Sequence, residues 1–225
     1  MLTPERDYAR HDATALDWTH TLGRAYEPPD LVSALDGAPA IATFALPDPE
    51  PSAVDLLIVQ GKPGYEAVLA DDARAQIRRI VFADLLALRD AARAAGVPLV
   101  ILSAYRSYAQ QEATFAYWVS VGGYQQALRT SARAGHSEHQ LGTTIDFGDG
   151  RAAPWEYADW ATTASGRWLA QHAREYGFVM TFPAGSSAVT CYDYEPWHYR
   201  WVGRDVALRV VTSGRTLREF QTGIR

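Results

Sequence analysis

Two short blocks of this 225-residue chain carry side chains that could act together on one ion. The first reads Ser137-Glu138-His139-Gln140-Leu141-Gly142-Thr143-Thr144-Ile145-Asp146, and the second reads Glu195-Pro196-Trp197-His198. A catalytic zinc takes about three protein ligands from His and Asp/Glu and keeps a further position for water. His139, Asp146 and His198 fill that count, and Glu195 is left over as a base. The pattern is that of a zinc hydrolase.

The spacing sets conditions on the backbone. Gly142 lies between His139 and Asp146, and a glycine lets the chain turn tightly enough for a loop ligand and a strand ligand to meet. Pro196 disfavours a helical Glu195, so Glu195 and His198 belong to an extended entry to a strand. Residues three apart on an ideal strand face opposite sides, and one ion can therefore be shared only if the chain kinks at Pro196. Each residue also has a plainer reading. His139 could be a hydrogen-bonded turn residue, Asp146 a turn acceptor before Gly148-Asp149-Gly150, and Glu195 a surface acid beside a core Trp-His strand.

The elements that must position these residues are read from periodicity and turn signals. Asp71 to Ala95 repeats apolar residues at helical spacing and stops at Gly96-Val97-Pro98. Leu99-Val100-Ile101-Leu102 suits a buried strand, and Ser107 to Val121 a helix with Gln110 and Gln111 near its start. A short helix follows over Tyr124 to Ser131, then a strand over Thr143 to Phe147. A helix from Ser165 or Gly166 to Tyr176 ends at Gly177, and Phe178 to Phe182 is extended. Trp197 to Val202 is the last strand, before helices over Arg204 to Ser213 and Thr216 to Gln221. Without regular βαβ repetition, this mixture predicts an α+β fold with a small, mostly antiparallel sheet flanked by helices. Residues 1–66, rich in Pro, Asp and Ala, read as an N-terminal wrapping extension with a strand or two, and residues 67–225 as the catalytic domain.

Composition narrows the function classes. The net charge of −5 and the arginines scattered among acids leave no basic face for phosphates, so nucleic acid is not an expected partner. Cys191 is the sole cysteine, which excludes an intramolecular disulfide and a thiolate-rich metal site. Its apolar surroundings, Val189-Thr190-Cys191-Tyr192, suggest a buried structural thiol. No apolar run reaches the ~18 residues of a membrane span, and the first residues lack a signal-like pattern. The expectation is a soluble protein, acting in the bacterial wall or periplasm if exported and in the cytoplasm otherwise. Among the other histidines, His11 and His20 lie in the variable leader, His172 on a polar helix face, and His136 where it could orient the loop.

Three ordered motifs now bring a family into view. Ser137-x-His139-x-x-Gly142-x-Thr144-x-Asp146 and Glu195-Pro196-Trp197-His198-Tyr199-Arg200 follow Ser103-Ala104-Tyr105-Arg106-Ser107-Tyr108-x-x-Gln111. Together they resemble the VanY-type D-alanyl-D-alanine carboxypeptidases, zinc peptidases related to the hedgehog and lysostaphin-type fold. The resemblance spans roughly Ala67 to Gly203, and Tyr26-Glu27-Pro28-Pro29-Asp30-Leu31-Val32 is similar to the family's lead-in segment.

The resemblance implies zinc held at the sheet by His139, Asp146 and His198, with Glu195 as general base. It implies that Arg106 faces the substrate, stabilising an oxyanion or binding a carboxylate, and that Ser137 and Gln111 hydrogen-bond the peptide's C-terminal carboxylate or backbone. Arg suits such a place because its fixed fork matches oxyanions and its charge does not titrate away. Ser137 and Gln111 could equally cap a helix or turn. One departure is Thr144, where the family usually has Ala, which touches local packing and substrate fit rather than ligation. The implied activity is removal of a C-terminal D-alanine from peptidoglycan stem peptides. An L,D-carboxypeptidase, an endolysin-like endopeptidase and a non-catalytic peptidoglycan-binding module are its rivals. Glu195 argues against the last, because a binding module needs no base beside its metal. Tyr105, Tyr108, Trp155, Tyr192 and Tyr194 could line a groove or belong to the core.

Overall fold

The structure, a computed structural model, describes residues 28, 30–34, 75–150, 153–156 and 160–223. The expected boundary near residue 66, His11, His20 and the apolar runs Ile41–Phe44 and Val54–Val59 lie outside the described residues.

Two antiparallel sheets organise the described residues. Strands β1 (Leu31–Ser33) and β2 (Gln76–Arg78) form a two-stranded ribbon. A four-stranded sheet is built from β3 (Val100–Ser103), β4 (Thr144–Gly148), β5 (Phe178–Met180) and β6 (His198–Trp201), in the order β3-β4-β6-β5. The helices are α1 (Arg79–Ala94), α2 (Tyr108–Gly122), α3 (Tyr124–Thr130), α4 (Ala164–His172), α5 (Ser187–Thr190), α6 (Arg204–Ser213) and α7 (Leu217–Thr222). The α+β class read from the sequence is the one observed.

Alternation along the two central strands explains the layering. Successive residues of a strand point to opposite faces, and Ile145, Phe147, Tyr199 and Trp201 all enter one apolar cluster. On it packs α1, through Val81, Leu85 and Leu88, whose spacing of four and three puts them on one helix face. Leu169 and Ala173 close the cluster. The opposite residues of the same strands, Thr144, Asp146, His198 and Arg200, are also buried, yet all are polar. A smaller apolar cluster of Val179, Val202, Ala207, Val210 and Leu217 packs α6 and α7 against β5.

The first helix is shorter than expected. Its anticipated opening includes Gln76–Arg78, which instead pairs with Leu31–Ser33. The Gln76 carbonyl also accepts from Tyr105 N at 2.8 Å, and Arg78 N donates to the Gly142 carbonyl at 2.8 Å. Non-local backbone bonds thus override a locally helical pattern. The helix ends as anticipated, with Gly96 at φ 69° and Val97 N bonded to the Ala92 carbonyl before Pro98. The helix expected up to Tyr176 becomes α4 followed by a 3₁₀ turn over Ala173–Tyr176. Cys191 is exposed rather than buried, because Ser187–Thr190 forms a single helical turn and Cys191 ends it in the left-handed conformation at φ 68°.

Candidate active site

Register places the first pair of ligand candidates. Asp146 of β4 stands directly opposite His198 of β6, and side chains opposite one another on antiparallel strands have Cβ atoms only ~4.5–5.5 Å apart. His198 Nδ1 lies 3.0 Å from Asp146 Oδ1.

His139 arrives from a 3₁₀ turn over Glu138–Leu141, begun by Ser137 as N-cap and ended by Gly142 at φ 71°. A side chain at Gly142 would meet Arg78, Leu31 and Pro28 within 3.0–3.3 Å, so the turn lies flat against the β1-β2 ribbon. That seating carries His139 back over the sheet, where its Nε2 stands 3.2 Å from Asp146 Oδ2. His139, Asp146 and His198 each offer a ligand atom within 4.8 Å of the others, and all three are buried.

The proton positions test whether a cation fits here. His139 Nδ1 lies 2.6 Å from the Ala104 carbonyl, which can only accept, so Nδ1 carries the hydrogen. Burial pushes His139 down to about 4, with Arg106 acting the same way against Asp146. The neutral ring therefore turns its Nε2 lone pair toward a carboxylate oxygen, and this buried Nε2 has no hydrogen-bond partner among the described residues. Two electron-rich atoms facing each other at that distance suit a cation between them. Burial alone would raise Asp146, but positive charge on His139 and His198, when they are protonated, outweighs it and holds the carboxylate far below its ordinary range.

The chain kinks at Pro196 as the shared-ion reading requires. His198 N donates to the Glu195 carbonyl at 3.1 Å, making a turn with Pro196 in its second position, where proline's fixed φ is favoured. Glu195 Oε2 thereby comes to 3.6 Å from His198 Nδ1. Burial pushes the Glu195 carboxyl up to about 8, with His198 opposing and Asp146 reinforcing. His198 behaves oppositely to His139. Burial would lower it, but hydrogen bonds to Asp146 and Glu138 push it up to about 10. Phe182 lies against its ring at a centroid distance of 4.7 Å.

Arg106 sits just ahead of α2, whose start is fixed by a reciprocal Ser107–Gln110 capping box. Its Nη1 donates to Gln111 Oε1 at 2.9 Å, and its Nη2 is 3.7 Å from Asp146 Oδ2. Gln111 is 1% exposed, and its amide nitrogen donates to the Ala132 carbonyl at 2.6 Å. Both ends of that amide are engaged inside the protein, and its evident work is to hold Arg106. Ser137 Oγ accepts from His139 N at 3.3 Å, which is the turn-capping geometry. Arg106, Gln111, Ser137 and Glu195 nevertheless all line one cleft of about 520 Å³, a volume in the range of small-ligand sites. Trp155, Tyr192 and Tyr194 line it too, while Tyr105 and Tyr108 do not.

One buried carboxylate here is not evident from the sequence. Glu138 Oε2 lies 3.0 Å from His198 Nε2, and Glu138 Oε1 accepts from Arg200 Nη1 at 3.0 Å. Burial would raise Glu138, but Arg200 and His198 outweigh it and hold it at about 2. A signal did exist, since Arg200 follows His198 by two and shares its strand face, and so needs an acid.

Comparison with known proteins now bears on the site. The sequence profile of the VanY family, described as D-alanyl-D-alanine carboxypeptidase, matches residues 74–204, more than half of the chain. The chain belongs to the VanY family. This VanY-family chain is 35% identical over 179 residues to YodJ of Bacillus subtilis, a proposed carboxypeptidase, a match covering 79% of the chain and 63% of YodJ. It thus spans less than two thirds of that relative's length. A mutant of the vancomycin-resistance D,D-pentapeptidase VanY, solved in complex with Zn(II), shares 30% identity at a TM-score of 0.56, covering 65% of this chain and 84% of that one. The LdcB LD-carboxypeptidase shares 27% identity at a TM-score of 0.69, covering 96% and 88%. Among the described residues no helix is long and apolar enough to cross a membrane.

Proposed function

We propose that this VanY-family chain is a zinc D,D-carboxypeptidase that removes the terminal D-alanine of peptidoglycan stem peptides. The observation that carries the reading is the convergence of His139, Asp146, His198 and Glu195 at one wall of the cleft, with a neutral His139 aiming its Nε2 lone pair at Asp146. His139 through Nε2, Asp146, and His198 through Nδ1 are the residues that would hold zinc. Zinc when bound supplies a Lewis acid for the scissile carbonyl and makes the attacking water more acidic.

The remaining work falls to the chain's own residues. Glu195, 3.6 Å from His198 Nδ1 and pushed up to about 8, is placed to take a proton from the attacking water and return it to the leaving amine. The peptide C–N bond breaks as the C–O bond forms, and the proton leaves on the amine of D-alanine. Burial lowers the Arg106 guanidinium, with Asp146 and Glu195 opposing, and it offers a fixed charge for the developing oxyanion or the substrate carboxylate. Gln111 holds that guanidinium in place, and Ser137 lines the same cleft.

The likeness to LdcB supports a second reading, an L,D-carboxypeptidase of the same chemistry. Stem pentapeptide ending in D-Ala-D-Ala and tetrapeptide ending in a single D-Ala, offered in parallel to zinc-loaded protein, separate the two. D-Alanine release from the pentapeptide is expected. Release from the tetrapeptide alone would move the assignment to L,D, and release from neither would remove both.

A further inference from the structure

His198 is one ring with two nitrogens, and its usefulness as a ligand depends on which of them carries the hydrogen. We propose that Glu138, seated on Arg200, is a positioning residue that fixes this choice and leaves Nδ1 of His198 free to face the cation. The inference rests on the reading of His139, Asp146 and His198 as a metal site.

The geometry is specific. His198 Nδ1 faces the site, 3.0 Å from Asp146 Oδ1 and 3.6 Å from Glu195 Oε2, while Nε2 points away from it to Glu138 Oε2 at 3.0 Å. An ionised carboxylate only accepts, so the Glu138 contact requires a hydrogen on Nε2, and a neutral ring then keeps its lone pair on Nδ1. Glu138 is itself fixed. Its other oxygen accepts from Arg200 Nη1 at 3.0 Å, and Arg200 is 0% exposed, so rotating the carboxylate away would break a fully buried ion pair.

The position in the chain adds to the argument. Glu138 precedes His139 on the 3₁₀ turn, whereas His198 and Arg200 share a face of β6. One carboxylate thus ties the turn that carries one ligand to the strand that carries another. Carboxylates behind a ligating histidine orient the ring and raise its basicity, and losing one weakens metal binding by roughly 10–100-fold.

Zinc affinity, read by competition with a chromophoric chelator, tests the proposal on wild type, Glu138→Gln and the double variant Glu138→Gln/Arg200→Met, with folding followed by circular dichroism. Gln offers an oxygen to only one of the two donors, and the double variant removes the buried charge of Arg200 along with that of Glu138 should the single one fold poorly. Both variants are expected to bind zinc roughly 10–100-fold more weakly than wild type. Long-range ¹H–¹⁵N spectra of the zinc-loaded wild type need no variant, and should show a downfield, slowly exchanging Nε2 hydrogen on His198. A folded double variant that binds zinc as tightly as wild type would make Glu138 a mere counter-ion of Arg200 and overturn the proposal. An Nε2 without hydrogen in wild type would do the same. Wild type that binds no zinc would instead remove the metal-site reading, and the positioning role with it.

Discussion

The two faces of the strand pair β4-β6 are made from the same nine residues and are buried throughout, yet they differ in what fills them. One face gives Ile145, Phe147, Tyr199 and Trp201 to the apolar core. The other gives Thr144, Asp146, His198 and Arg200, whose burial is costly unless hydrogen bonds, opposite charges or an ion meet them. A two-residue period thus divides each strand between an apolar packing face and a polar one. Packing on the first face holds the register, and register puts Asp146 opposite His198 on the second.

The two faces separate most clearly when chemistry is removed without touching the fold. Glu195→Gln keeps size and turn, and should lower kcat by roughly 10²–10⁴-fold while zinc stoichiometry and the circular dichroism spectrum stay at wild-type values. Retained turnover would show that Glu195 does not move the proton. Phe147→Ala attacks the other face. Its ring packs edge-on at 6.0 Å from Phe178 and 6.1 Å from Tyr199, and its loss should cost about 3–5 kcal/mol in urea unfolding.

The site face should also betray itself through pH. Glu195 is raised from 4.5 to about 8 and His198 from 6.5 to about 10. A raised group adds stability in full below its unfolded value and loses it as pH rises through its folded value. Between pH 6.5 and 8 both groups hold protons that the unfolded chain sheds. His139, lowered to about 4, acts with the opposite sign only at more acid pH. The metal-free protein should therefore become less stable over that window, by up to ~1.4 kcal/mol per pH unit for each proton. Glu195→Gln should flatten the slope, and a rising midpoint in urea would contradict the burial assigned to these groups.

The smallest effect is expected at Thr144. Its Oγ1 is buried without a hydrogen-bond partner among the described residues, and such a group costs about 1–3 kcal/mol when left unmet. Thr144→Ala removes the hydroxyl along with a methyl, so the two changes offset, and Tm should hold or rise slightly. A clear fall would place an unseen partner on this hydroxyl.

Much of the site was legible in the sequence because its cues are local. Gly142 between His139 and Asp146 and Pro196 between Glu195 and His198 mark the two turns that bring these side chains together. The α+β class also followed, from short apolar runs set between helical patterns. What stayed hidden depends on distant pairing. Gln76–Arg78 reads as the opening of a helix and becomes a strand through Leu31–Ser33. Cys191 sits among apolar neighbours and is exposed because a single helical turn ends there. Glu138 looks like a surface acid in a turn until β6 supplies Arg200 and His198 on either side of it.

A zinc titration of the metal-free protein, followed by D-alanine release from a stem pentapeptide, tests whether the polar face is a zinc-dependent peptidase centre. Activity should be absent without metal, rise linearly with added zinc and level off at one equivalent per chain. Full release by protein stripped of metal would contradict it.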